Sequence, residues 1–130
     1  MILDTSVVIA ILKNEPDSAL YAEAIENAPI RRISAVTLFE MGIIADRNEN
    51  PALSHAVDDF VAVIHPIIEP VTEMQAKFAR QAYREYGKGS GHPAQLNFGD
   101  CFSYAVAKDR DEPLLYKGND FVHTDIRSES

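Results

Sequence analysis

Met1-Ile2-Leu3-Asp4-Thr5-Ser6-Val7-Val8-Ile9-Ala10-Ile11-Leu12 opens the chain, and its reading decides the fold. A short apolar run is interrupted by a polar triplet and resumes from Val7 to Leu12. The first run suits a buried strand and the second a buried helix, so the segment reads strand, turn, helix. Asp4 stands where the strand ends, a place from which Asp is depleted when the chain passes straight into a buried helix. It is therefore the first residue to test for a functional role.

The same alternation continues outward. Asp17-Ser18 starts a helix over Ala19 to Ala28, which Pro29 ends. Arg32 to Ala35 is a candidate strand, and Thr37 is placed to cap a helix carrying Leu38, Phe39, Glu40, Ile43 and Ile44. Pro51 opens another helix, with Ala56, Phe60, Val61 and Ile64 at near-helical spacing. Ile67 to Val71 is β-rich, and Thr72-Glu73 begins a polar helix that Gly87 stops after Tyr86. The segment Gly87 to Pro93 reads as a flexible surface loop. Asn97 caps a helix from Phe98 to about Asp109, Leu114-Leu115-Tyr116 is a strand, and Gly118-Asn119-Asp120 is a turn. Strands alternating with helices predict an α/β class with a short parallel sheet flanked by helices, helix outweighing strand. One domain over 1–130 is expected, with 127–130 as a frayed tail.

Ligands of parallel α/β sheets bind beyond the carboxyl ends of the strands, so acids that follow apolar runs stand out. Asp4 follows the first strand and Asp120 the last, Glu40 lies on the helix after the second strand, and Asp100 begins an apolar helix. Brought together, such acids would raise one another's pKa values and destabilise the fold unless a cation offset their charge. Oxygen-only ligands suit Mg²⁺, or Mn²⁺ in its place, and water at such an ion can be deprotonated to attack a phosphodiester. Structural explanations stand beside this one: Asp100 as a helix-start residue, Asp120 as a turn residue, Glu40 on an exposed helix face. If the cluster forms, Asp4→Asn or Asp100→Asn is expected to abolish activity while keeping or raising the stability of the metal-free protein.

Composition bounds the rest. The 130 residues are 46% hydrophobic and 25% charged, ordinary for a folded domain. A formal net charge of −8 runs against nonspecific attraction to nucleic acid, unless many of the acids form a cation site. The single Cys101 excludes an internal disulfide, and no Cys/His spacing fits zinc or an iron–sulfur cluster. No apolar run is long enough for a membrane span and no signal peptide is evident, which places the chain in the cytoplasm.

The motifs now on the page resemble a known pattern: Ile2-Leu3-Asp4-Thr5-Ser6, Glu40 after Thr37-Leu38-Phe39, Asn97-Phe98-Gly99-Asp100-Cys101-Phe102-Ser103-Tyr104-Ala105, and Leu114 to Phe121. In that order, over residues 1–126, they resemble the VapC-type toxins of the PIN-domain family. The resemblance implies a three-layer PIN-like fold and a Mg²⁺- or Mn²⁺-dependent endoribonuclease. It also implies a cognate antitoxin and either a homodimer or a toxin–antitoxin hetero-oligomer. By the same resemblance Asp4 and Asp100 are the metal ligands, Glu40 holds the metal or its water, and Asp120 completes the acidic pocket. Ser6 is a supporting hydroxyl, and Asn119 competes with Asp120 for the last place.

Lys77, Arg80, Arg84 and Lys88 fall at helical spacing and form a basic stripe able to hold RNA phosphates, or else a solvated face. Arg31, Arg32 and Lys117 are further candidates. His92 and His123 are not needed as acid–base groups, and Cys101 reads as a small buried hydrophobe. Apolar surface around Leu20, Ile43 and Phe60 belongs to the core, to an antitoxin or to a second copy. An aspartate-nucleophile phosphatase would carry a second Asp where Ser6 stands, which removes that reading. A non-catalytic cation- or partner-binding acidic α/β module remains the alternative, and metal-dependent cleavage separates the two.

Overall fold

Ile2 and Leu3 face opposite sides of one sheet, and that alternation divides the core in two. Ile2 and Leu114 pack with α5 and α6, through Ala79, Ala82, Tyr104, Ala105 and Val106. Leu3, Ile33 and Leu115 pack on the other side with Val7, Val8, Ile25, Met41 and Phe60. In the computed structural model, which describes residues 1–129, the chain runs β1 (Ile2–Leu3), α1 (Thr5–Leu12), α2 (Ser18–Asn27), β2 (Arg32–Ser34), α3 (Ala35–Arg47), α4 (Pro51–Ile64), β3 (Ile67–Glu69), α5 (Glu73–Tyr86), α6 (Phe98–Arg110) and β4 (Leu114–Leu115). The result is a parallel sheet between two helical layers, as the alternation of apolar runs predicts.

The strand order is β3-β2-β1-β4, every pairing parallel. The chain winds outward from β1 to β3 and then returns, through α5 and α6, to place β4 on the other side of β1. The crevice at the carboxyl ends of β1 and β4 is thus the switch point at which parallel sheets receive ligands. Backbone bonds pin it: Asp4 N–H donates to Leu115 O at 3.1 Å and Ile2 N–H to Pro113 O at 2.9 Å.

Local sequence explains most helix ends. Thr72 Oγ1 accepts from Gln75 N–H, Asn50 caps α4 with Pro51 in the first turn, and Asn97 and Asp100 form a reciprocal capping box on α6. The start of α3 differs from expectation. Ser34, not Thr37, is its cap, accepting from Val36 N–H at 3.2 Å. Strand β2 passes into α3 without a linker, so the cap has to be the last strand residue, and Thr37 is carried inside and fully buried.

One other expectation is corrected. The residues before Ser130, expected to fray, add to the sheet instead: Leu114 N–H donates to Arg127 O and Glu129 N–H to Leu114 O, at 2.9 and 3.1 Å. The free edge of β4 supplies those partners; Ser130 lies outside the described residues. The glycine-rich segment is a surface loop, as expected, exposed from Lys88 to Gly91; its ends are paired, Lys88 N–H donating to Leu96 O and Leu96 N–H to Tyr86 O, each at 2.8 Å. Among the described residues no helix is long and apolar enough to cross a membrane.

Candidate active site

Asp4 is both the residue after β1 and the N-cap of α1, and its carboxylate is held from two sides. Oδ2 accepts from Ser6 N–H at 3.0 Å and from Ser6 Oγ at 2.6 Å. Oδ1 accepts from Ser103 Oγ at 2.6 Å, across the interface with α6. Ser6 Oγ in turn accepts from Lys117 N–H at 2.9 Å, which ties the segment after β4 to the start of α1. Only 3% of Asp4 is exposed.

Asp100 enters from the first turn of α6. Its Oδ2 accepts from Asn97 N–H at 3.0 Å and its own N–H donates to Asn97 Oδ1 at 2.9 Å. Capping and a place in the pocket are thus compatible, because the cap engages one carboxylate oxygen. Burial pushes the Asp100 carboxyl up to about 7; the negative charges of Asp4, Asp120 and Glu40 add to that rise against the lowering effect of the Asn97 bond. Those three charges all bear on the one buried carboxyl, so Asp4, Glu40 and Asp120 each lie within electrostatic range of Asp100.

Glu40 reaches the pocket from α3. Its Oε1 accepts from Thr5 Oγ1 at 2.5 Å, and its Oε2 lies against Gly99, the residue before Asp100. Asp120 sits in the exposed turn after β4, steadied by its neighbour Phe121, which is buried and stacks on Tyr116 with ring centroids 5.2 Å apart. Asn119 lies beside it, exposed. Since α1, α3, α6 and the β4 turn each deliver one acid, the pocket exists only in the folded chain.

The donor set is carboxylate and hydroxyl oxygen, which matches a hard divalent cation. Among the described residues no three acidic, His or Cys side chains stand at the spacing of a direct-coordination cluster. Mg²⁺ does not require one, since it keeps several waters and takes one or two carboxylates. Asp4 and Asp100 have the chemistry for that demand, each with an oxygen not saturated by protein donors.

The basic candidates divide. Arg80 and Arg84 are exposed on α5, Lys77 pairs with Glu73 at 3.7 Å, and Lys88 lies past the helix end in the glycine turn. Arg80 lines a cleft with Tyr83, Phe98 and Phe102, so the stripe borders the N-terminal turn of α6. Arg31, Arg32 and Lys117 are committed elsewhere. Arg31 donates to the carbonyls of Ile25 and Ile64, Arg32 pairs with Glu69 and Glu112, and Lys117 pairs with Glu15 and Asp17. His92 is packed edge-on against Tyr86, its Nδ1 accepting from Ala94 N–H. Cys101 is buried, which pushes its thiol up to about 12 and leaves it without nucleophilic character.

From sequence no site role falls to Thr5, Gly99 or Ser103, and Thr37 reads only as a helix cap. Ser103 had a signal: it lies three residues after Asp100, on the same face of α6, in a run that is otherwise largely apolar. Of the three apolar residues named from sequence, Leu20 is exposed, Ile43 borders a surface cleft beside Phe39, and Phe60 belongs to the core.

The chain matches known proteins over nearly its whole length. The PIN domain matches residues 1–127. Ribonuclease VapC28 of Mycobacterium tuberculosis is 55% identical over 127 residues, covering 98% of this chain and 96% of the relative. Ribonuclease VapC30 of the same species is 40% identical, over 97% and 95%. Among solved structures, M. tuberculosis VapC20, a sarcin-ricin loop cleaving toxin, superposes with a TM-score of 0.71 at 17% identity, covering 97% of this chain and 98% of that one. A toxin–antitoxin complex from Klebsiella pneumoniae gives 0.71 at 18% identity, over 95% and 92%.

Proposed function

The chain belongs to the PIN-domain family, and from that premise we propose that it is a divalent-metal-dependent endoribonuclease, the toxin of a toxin–antitoxin pair. The reading is supported by Asp4 being bonded to Ser103 on the helix that Asp100 begins, and by Glu40 lying against Gly99 beside Asp100, with the charge of Asp120 bearing on the same carboxyl. Relatives named as ribonucleases over nearly the whole length support the reaction class.

Asp4 and Asp100 would hold Mg²⁺, with Mn²⁺ able to substitute. When bound, the ion offsets the buried negative charge and acidifies a water for attack on the scissile phosphate. Glu40, oriented by Thr5, would keep Oε2 as a proton acceptor. Asp120 completes the acidic rim, and Ser6 locks the Asp4 rotamer through two donors. Arg80 and Arg84 hold flanking phosphates, so that the substrate meets positive charge beside the pocket rather than the negative whole-chain average.

The cleft between α3 and the start of α6 supports a protein partner. Phe39 and Phe98 are 69% and 72% exposed, and with Ile43 and Ile44 they line apolar surface that reaches Glu40 and Gly99. A cognate antitoxin or a second copy of the chain would cover it, and the cytoplasm is the compartment this function requires.

The test is incubation of a mixed single-stranded and structured RNA pool with the purified protein in Mg²⁺, in Mn²⁺ and in EDTA, beside Asp100→Asn. Metal-dependent cutting lost in the variant is the expected result. Metal binding without any cleavage would favour the cation-binding module instead.

A further inference from the structure

We infer that Ser103, held in place by Thr37, is a positioning residue that fixes the Asp4 carboxylate for one-oxygen attachment to a divalent cation; the inference rests on the functional reading above. Ser103 is buried to 1% exposure and Thr37 to 0%. Their hydroxyl oxygens lie 3.2 Å apart, and Ser103 Oγ lies 2.6 Å from Asp4 Oδ1. A hydroxyl has one proton, and an ionised carboxylate only accepts. The Ser103 proton is therefore committed to Asp4, and at the other contact Ser103 accepts from Thr37. The direction is fixed: Thr37 donates to Ser103, and Ser103 donates to Asp4.

Lone-pair arithmetic gives the consequence. A carboxylate offers about four lone-pair sites. Ser6 N–H and Ser6 Oγ occupy two on Oδ2, and Ser103 occupies one on Oδ1. One site is left, on Oδ1, so Asp4 is unsuited to bidentate binding and presents a single oriented acceptor. Without Ser103, the Oδ1 side is free to turn about the remaining Ser6 contacts and to take water instead. The chain of hydrogen bonds spans α3, α6 and the end of β1, so it also locks the carboxyl end of β1 to the helix that carries Asp100.

Partners that orient a metal ligand are typically worth about 10- to 100-fold in metal affinity. Calorimetric titration with MnCl₂ alone, without RNA and well below the unfolding temperature, reads that affinity directly. Ser103→Ala is expected to weaken Mn²⁺ binding about tenfold or more. Thr37→Val, which keeps the shape and removes the donor, is expected to weaken it less and in the same direction, and Thr37→Ser to restore it. A purely structural role would lower the melting temperature of the metal-free variants and leave the Mn²⁺ titration unchanged. Wild-type affinity in both Ser103→Ala and Thr37→Val overturns the inference while leaving the functional reading intact. If Ser103→Ala does not fold, Thr37→Val decides by the same criterion. A wild-type chain that neither binds Mn²⁺ nor cleaves RNA overturns both.

Discussion

Gly99 abuts Glu40 so closely that a Cβ built on it would fall 2.0 Å from Glu40 Oε2. Gly99 is in the first turn of α6 with ordinary helical backbone, so its lack of a side chain serves the close approach and not the turn. Glycine is the residue that lets the α3 acid lie against the helix carrying Asp100.

Gly99→Ala follows as a sharp test of the pocket. The atom in the way is the end of a flexible side chain, so Glu40 swings aside at little cost and leaves Thr5 without its acceptor. Alanine also gains about 1 kcal/mol of helix propensity over glycine. The melting temperature should therefore change little while cleavage falls about 100-fold, the usual consequence of a misplaced catalytic group. Thermal melts and single-turnover cleavage measured on the same preparation check both halves. Retained activity would remove Glu40 from the mechanism.

The two metal-ligand candidates should respond differently to amidation, although the sequence treats them alike. Asp100 gives one oxygen to Asn97, a role that an Asn carbonyl can fill, so Asp100→Asn removes repulsion and raises metal-free stability. Asp4 accepts three bonds on its two oxygens. An amide at position 4 has to direct its NH₂ toward Ser6 or Ser103, at a cost of about 2 kcal/mol for a buried unmatched group. Asp4→Asn should thus be inactive and less stable, whereas the expectation from sequence is that both substitutions spare the fold. Denaturant titration of the metal-free proteins checks the contrast.

Asp100 also sets a pH dependence. Its carboxyl titrates near 7 when folded against an ordinary 3.8, so in that interval the folded state binds a proton that the unfolded state has released. Stability from this group is complete below the ordinary value and falls as pH rises toward 7. The gain in stability of Asp100→Asn over wild type should accordingly be larger near pH 8 than near pH 5, as melts at both would show. A cation must displace the same proton, so the metal-induced rise in melting temperature should shrink at the acid end.

Substrate binding should carry a measurable salt dependence despite the acidic composition. Replacing Arg80 and Arg84 with Ala should weaken binding of an uncleaved single-stranded RNA and flatten log K against log salt by about 0.7 for each phosphate that is no longer neutralised. Filter binding in Ca²⁺ across a salt series reads the slope. An unaltered slope would return these arginines to the status of a solvated face.

How much was legible in the sequence depends on the range of the forces involved. Caps and breakers act over three or four residues, so Thr72, Gly87, Asn97 and Pro51 marked helix ends from composition alone. The start of α3 was misplaced because Thr37 looks like a cap locally, while its hydroxyl is directed by Ser103 in another element. The tail was misread for a related reason: Arg127 and Glu129 are ordered by the edge of β4, which no local pattern advertises.

The order of motifs along the chain determined the family and the parallel α/β class, and it singled out the four candidate acids, because strand-end acids and apolar alternation are written residue by residue. The tertiary structure alone decided what those acids meet. It put Gly99 under Glu40, spent Lys117 on Glu15 and Asp17, and joined Thr37 and Ser103 to Asp4 across the helix–sheet interface. Hydrogen bonds and desolvation act over a few ångströms in space, and residues 66 and 99 positions apart in sequence become neighbours only when the layers close.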